Sequence, residues 1–421
     1  MRRAIRRRPL GQAEFTSLLA LSMALAALGI DLMLPAFSAM RADLGLAPDS
    51  TAISAVVTAY FLGLAAGQVV YGPLADRFGR RPILYLGYGV YAFGALAATL
   101  SPSLSLLVIA RFVWGLGAAG PRVITLAAIR DTFEGERMSR AMSFVMAVFI
   151  LVPVIAPTVG AAIVAVVSWR YLFGLCIVAV AIVAVWGVRM PETLRHEDRL
   201  ELSLRRIGRA AREVVSHRET IGYTFALTAL YGVFMSYIGS AEIIFSVAFG
   251  RPEAFPFIFG GLGLVMGAAM LLNARVVGRL GTRRLAHGVL VGYVVAAAGV
   301  AALAVLTDGQ PPLWAFLVGL GTMVFSHALL IPNLNTIAMA PMGAIAGTAS
   351  SVIGSVQLAV GAALGAMLDR AFDGTVLPIS LGFLGYGLLC LGLVLVAERG
   401  RLFEPLRAPV PTEPPLPPAD A

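Results

Sequence analysis

The 421-residue chain is 59% hydrophobic and only 13% charged, with a mean hydropathy of +0.86. Soluble domains carry roughly 25% charged residues, so this composition excludes a water-soluble globular fold and requires lipid around most of the surface. The net charge of +9 does not point to nucleic acid, because all 32 basic residues are arginine and they lie scattered in short segments between apolar runs rather than on one basic face.

In chain order, Arg2, Arg3, Arg6, Arg7 and Arg8 precede a run at 15–37 that is too long for the apolar part of a signal peptide, so it reads as a retained first span. Further runs follow at 52–73, 83–101, 104–127, 140–165 and 169–189. A charged interruption at 191–220 precedes six more runs, at 221–247, 255–275, 286–306, 313–335, 344–367 and 376–397. Twelve spans place both termini on one side. The segments on that side hold 26 arginines. The opposite segments hold 4 (Arg41, Arg170, Arg251 and Arg370), and Arg111 and Arg122 fall inside span 4. This asymmetry predicts cytoplasmic termini and a cytoplasmic central loop. The expected organisation is a six-helix bundle at 1–190, a cytoplasmic loop at 191–220, a second six-helix bundle at 221–401 and a Pro-rich cytoplasmic tail at 402–421. Cys176 and Cys390 lie inside apolar runs and read as small core residues, not as a disulfide or metal ligands.

The two halves repeat. Asp76-Arg77-Phe78-Gly79-Arg80-Arg81 joins spans 2 and 3, and Gly278-Arg279-Leu280-Gly281-Thr282-Arg283 joins spans 8 and 9. A shift of 202 residues superposes Arg77 on Arg279, Gly79 on Gly281 and Arg81 on Arg283. Two parallel six-helix repeats with a path between them form a transporter architecture.

Several motifs sharpen this reading. Gly72-Pro-Leu-Ala-Asp-Arg-Phe-Gly-Arg-Arg-Pro82 resembles the 2–3 loop signature of the major facilitator superfamily. Arg111-Phe-Val-Trp-Gly-Leu-Gly-Ala-Ala-Gly120 resembles its span 4 motif, with Trp114 where glutamine is usual. Pro153-Val-Ile-Ala-Pro157-Thr-Val-Gly160 resembles the antiporter motif of exporters, with Ala156 in place of its glycine. Asp31-Leu-Met-Leu-Pro35, Ser168-Trp-Arg170, Pro191-Glu-Thr-Leu194 and, in span 11, Ala346-Gly-Thr-Ala-Ser-Ser351 add to the match. Together they resemble the twelve-span drug:proton antiporters of that superfamily, in the bicyclomycin/chloramphenicol-resistance branch. The resemblance implies an all-α membrane protein with the major facilitator fold, in two pseudo-symmetric six-helix bundles. It implies a conformational latch at Gly72, Asp76, Arg77, Gly79, Arg80, Arg81 and Asp131. It assigns the antiporter motif to Pro153, Pro157 and Gly160.

Charged groups at membrane depth cost about 2.5–3.5 kcal/mol each on insertion scales and need a reason. Asp31 and Arg111 both lie about seven residues from the external end of their spans, roughly 10 Å deep. Equal depth and opposite charge predict an ion pair on the cavity, suited to proton coupling because alternating access would change the pairing. A static bridge between spans 1 and 4 is the alternative. Glu242 is expected near the external surface, as a wetted charge, a gate or a second proton site. Arg122 reads as snorkelling or structural, with binding of an anionic group as the alternative. His327 reads as a hydrogen-bonded packing residue. Tyr60, Gln68, Trp114, Tyr237, Asn333 and Gln357 are candidate substrate contacts, and each reads equally as an interhelical contact.

The expected function is proton-coupled efflux of small amphiphilic drugs by alternating access, in a bacterial inner membrane. The protein is expected to act as a monomer, with no cofactor beyond the coupling proton, no metal and no nucleic acid. A metabolite-specific transporter of the same fold is the near alternative. A non-transporting sensor or a polytopic enzyme is the distant one: there is no nucleotide-binding loop and no His/Asp/Glu metal cluster on a loop.

Overall fold

The computed structural model describes residues 10–200 and 204–403. The N-terminal arginines 2–8 and residues 404–421 of the expected Pro-rich tail lie outside the described residues. Among the described residues, twelve helical segments are long and apolar enough to cross a membrane. They match the twelve apolar runs one for one, and most run past them at one or both ends, because the helices continue through interfacial polar residues before breaking.

Span 1 is broken. Helix α1 (Gln12–Asp31) stops at Asp31, a short 3-10 turn covers Leu34–Ala36, and α2 (Phe37–Asp43) resumes the path. Pro35 has no backbone N–H to bond the Asp31 carbonyl, which favours a break at this point. Spans 2 to 6 are α3 (Ala55–Phe78), α4 (Arg80–Thr99), α5 (Leu104–Thr132), α6 (Gly135–Val164) and α7 (Arg170–Gly187).

The central segment is not all loop. It contains α8 (Leu204–Ser216), whose Val214 packs with Met342, Ala349 and Ile353. The charges that made this stretch read as loop occupy the helix's exposed positions, among them Arg205, Arg209, Arg212 and Glu213. Spans 7 to 12 are α9 (Arg218–Ile243), prolonged by a π-helical turn at Ile244–Ala248, α10 (Phe255–Leu280), α11 (Thr282–Leu306), α12 (Leu313–Met339), α13 (Ala346–Asp369) and α14 (Leu377–Ala397).

The repeat is visible in the backbone. The α3–α4 junction turns at Gly79 (φ 104°) and the α10–α11 junction at Gly281 (φ 78°), each a single residue between two long helices. Positive φ at these junctions favours glycine.

Within the first six spans α5 packs against α3 and α4, and within the second six α9 packs against α13 and α14. Small residues permit the close approach: a Cβ on Gly115 would lie 1.9 Å from the Tyr60 carbonyl oxygen, and one on Gly94 would lie 2.4 Å from the Trp114 Cα. The two sets meet along α3–α13 and α6–α10. A Cβ on Gly354 would stand 2.9 Å from Gln68 Oε1, and one on Gly260 would stand 2.9 Å from the Val154 carbonyl.

Candidate transport site

Between the two sets of helices lies a cavity of about 200 Å³. Its wall is apolar and aromatic, with Phe61, Phe149, Tyr231, Phe234, Tyr237 and Phe259 among the lining residues. One carboxyl, Asp31, and one guanidinium, Arg122, interrupt it.

The break in span 1 places Asp31. The carboxyl ends α1, where Pro35 favours a break, and the residue is 5% exposed. It makes no hydrogen bond or ion pair with any described residue. The 153–160 stretch of α6 packs closely against this break. Helix α6 carries Pro153 and Pro157 internally, and a Cβ on Gly160 would lie 2.1 Å from the Leu32 carbonyl oxygen. Pro153 itself lines the cavity.

The expected Asp31–Arg111 ion pair is not formed. Arg111 is fully buried, and its Nη1 donates to the Gly29 carbonyl (2.7 Å) while its Nε donates to the Val56 carbonyl (3.3 Å). The guanidinium carbon stands 4.3 Å from the centre of the Tyr60 ring and 4.7 Å from that of Trp114. The bond to Gly29 brings the Arg111 guanidinium to a carbonyl two residues from Asp31 along α1. Rotational position around the helices was not available from depth: Arg111 points between α1, α3 and α5, where carbonyl dipoles and ring faces take the place of a counter-ion.

Of the six candidate substrate contacts, Tyr237 lines the cavity and the other five do not. Tyr60 donates to the Ala26 carbonyl (2.9 Å), and Trp114 packs edge-on against Tyr60, Tyr91 and Phe173. Gln68 abuts Gly354 on the α3–α13 contact. Asn333 donates to Asn273 (2.6 Å) and to the Leu329 carbonyl. Gln357 is buried, with its Nε2 unpartnered. His327 stacks on Phe234, ring centres 4.7 Å apart, and its Nε2 makes no hydrogen bond.

Glu242 differs most from its expected place. It is 4% exposed, not wetted, and accepts hydrogen bonds from Arg41 Nη1 (2.9 Å) and Ser38 Oγ (2.7 Å). Arg41, counted above as a loop arginine, is 1% exposed and belongs to α2. The pair joins the first half to the second at the end of the bundle away from the termini. Beside it, Asp369 at the end of α13 accepts from Ser236 and Ser240 of α9, both at 2.7 Å. Sequence reasoning missed Asp369, whose only signal was a carboxylate closing an apolar run.

At the other end, Arg80 bonds Asp131 (Nε to Oδ2, 2.8 Å) and Asp76 (Nη1 to Oδ1, 2.6 Å). Arg77 and Arg81 do not join Asp131: Arg81 donates to the Val188 carbonyl (2.8 Å), and Arg77 lies over the Phe78 ring. Glu192, from the Pro191-Glu-Thr-Leu194 segment, accepts from the backbone N–H of Arg80 (2.7 Å) and of Arg81 (3.2 Å), and so caps the start of α4. A Cβ on Gly79 would lie 2.4 Å from Glu192 Oε2, a second reason for glycine there. Gly72, Asp76, Arg80 and Asp131 line a cleft of about 300 Å³ with Gly347, Thr348 and Ser351 of the first turns of α13, so a carboxylate faces a helix N-terminus.

A central cavity between two six-span sets, with this loop network at one end, is the geometry against which comparison with known proteins is informative. Residues 19–366 match the profile of the Major Facilitator Superfamily. The chain belongs to this superfamily. It is 31% identical over 353 residues to a bicyclomycin resistance protein homolog of Haemophilus influenzae, covering 83% of this chain and 87% of that one. It is 29% identical over 392 residues to a chloramphenicol resistance protein of Pseudomonas aeruginosa, covering 88% of each. The fold superposes on a crystal structure of a D-xylose-proton symporter with a TM-score of 0.73, at 13% identity, over 94% of this chain and 99% of that one. This superfamily member is thus a twelve-span membrane transporter with drug-resistance relatives, and not an enzyme.

Proposed function

We propose that this transporter is a proton-coupled exporter of small amphiphilic compounds, working by alternating access as a monomer in a bacterial inner membrane with both termini in the cytoplasm. The observation that carries the reading is the placement of Asp31. A carboxyl with no partner among the described residues opens onto an apolar, aromatic cavity between the two halves. A group so placed can take up a proton from whichever side the cavity faces. The aromatic wall suits compounds recognised by shape and apolar area rather than by a dense set of hydrogen bonds. The drug-resistance relatives and the exporter-type motif on α6 support the outward direction. No cofactor other than the proton is needed. In this reading Asp76, Arg80 and Asp131 hold one closed arrangement of the terminal end, and Arg41 with Glu242 holds the opposite end.

The test is uphill efflux of an antibiotic panel in everted membrane vesicles, with an imposed pH gradient and after its collapse. Asp31→Asn keeps the shape of the side chain but cannot titrate at physiological pH, and is expected to abolish gradient-dependent transport while leaving expression intact. Wild-type rates of gradient-driven efflux in Asp31→Asn would exclude Asp31 as the proton carrier.

A further inference from the structure

The cavity contains a positive charge as well as a carboxyl. We infer that Arg122 anchors an anionic group on the transported molecule, so that the cargo class is an amphiphile with an aromatic or aliphatic body and a single carboxylate, sulfonate or phosphate. This rests on the proposed function only in taking the central cavity as the cargo site.

Arg111 and Arg122 lie on the same helix, eleven residues apart, and show two ways of holding a guanidinium in a membrane. Arg111 is supplied by the protein itself, with two carbonyls and two close ring faces. Arg122 is half-buried on the cavity wall and makes no hydrogen bond or ion pair with any described residue. Snorkelling does not account for it. Its side chain lines the cavity between the two halves, where the charge is held away from the lipid headgroups rather than drawn to them. Asp31, the carboxylate on the same wall, forms no ion pair with it among the described residues. Arginine keeps its charge at any physiological pH and presents a planar fork matched to carboxylate, sulfonate and phosphate oxygens. Phe149, Tyr231 and Phe234 on the same wall offer ring faces for the apolar body of such a ligand. An anion leaving the cell and a proton entering it move charge in the same direction, so the membrane potential would favour both movements.

The test uses two probes that differ by one sulfonate, 1-anilinonaphthalene-8-sulfonate and N-phenyl-1-naphthylamine. Their binding to the purified full chain in lipid nanodiscs is measured for wild type, Arg122→Gln and Arg122→Lys. Arg122→Gln should weaken the sulfonate probe by about tenfold or more and change the neutral probe by less than about twofold, with Arg122→Lys in between. Three results would overturn the inference: no detectable wild-type binding of the sulfonate probe, unchanged sulfonate affinity in Arg122→Gln, or equal loss of both probes, which would mark a structural role. None of these readouts uses a proton gradient. Absence of uphill efflux would therefore count against the exporter reading alone, and loss of charge discrimination against the anion site alone.

Discussion

The two ends of the bundle are closed by charged contacts of different kinds. At the end bearing the termini, Arg80 sits between Asp76 and Asp131, with side-chain exposures of 10%, 39% and 20%, and Glu192 caps the neighbouring helix. At the opposite end the Arg41–Glu242 pair joins the two halves and is sealed at 2% and 5% side-chain exposure. The first is a partly wetted network with spare partners. The second is a sealed pair between halves, whose partners are 201 residues apart in sequence, with Ser38 as a further donor to Glu242. A buried pair loses more when one member is removed, because the remaining charge has no water to turn to. A wetted network loses less, because solvent replaces the missing partner.

The largest effect is therefore expected at the sealed pair. Glu242→Gln should lower stability by about 3–5 kcal/mol, read as thermal unfolding of the detergent-purified protein. The double substitution Arg41→Met with Glu242→Met should recover most of that loss. If single and double variants unfold alike, the two residues are not coupled and the contrast between the ends collapses.

Asp76→Asn should act on turnover more than on stability. Asp76 faces the first turns of α13 and does not line the central cavity. Its loss should slow transport by about tenfold, a barrier change of roughly 1.4 kcal/mol, with substrate affinity changed by less than about twofold. A collapse of affinity with normal turnover would show that Asp76 acts on the binding site and not on the closed arrangement.

The smallest effect calibrates the other two. Arg140 and Glu136 form an i,i+4 pair on the same end, 74% and 80% exposed. Arg140→Ala should shift stability by no more than about 0.5 kcal/mol. A loss comparable to that of Glu242→Gln would mean that burial does not rank these contacts.

The same contrast explains what was readable beforehand. The terminal-end network is built largely from one contiguous stretch, Gly72 to Pro82, so its residues announce themselves as a motif; Asp131, Val188 and Glu192 come from elsewhere. Arg41 and Glu242 belong to different halves, and neither has a local pattern that names the other. Arg41 was read as a topology signal because it follows an apolar run, and nothing local to position 41 shows that α2 folds it inward. Asp31 and Arg111 illustrate the limit differently: depth along a span follows from counting at 1.5 Å per residue, whereas the face a side chain presents depends on helix rotation and on its neighbours.

The sequence by itself determined that the chain lies in lipid, that it has twelve spans in a repeated pattern, and that the loops after spans 2 and 8 repeat the same arginine and glycine positions. These follow from local composition and from the hydrogen-bond demands of a backbone in hydrocarbon, which leave few alternatives. Only the tertiary structure decided which charges meet: Arg111 with carbonyls and rings, Arg41 with Glu242, Asp369 with Ser236 and Ser240, and Asp31 and Arg122 with no partner among the described residues. Partner choice depends on how the helices rotate and approach, and that is set by small-residue contacts such as Gly115 against Tyr60 and Gly160 against Leu32, spread over the whole chain.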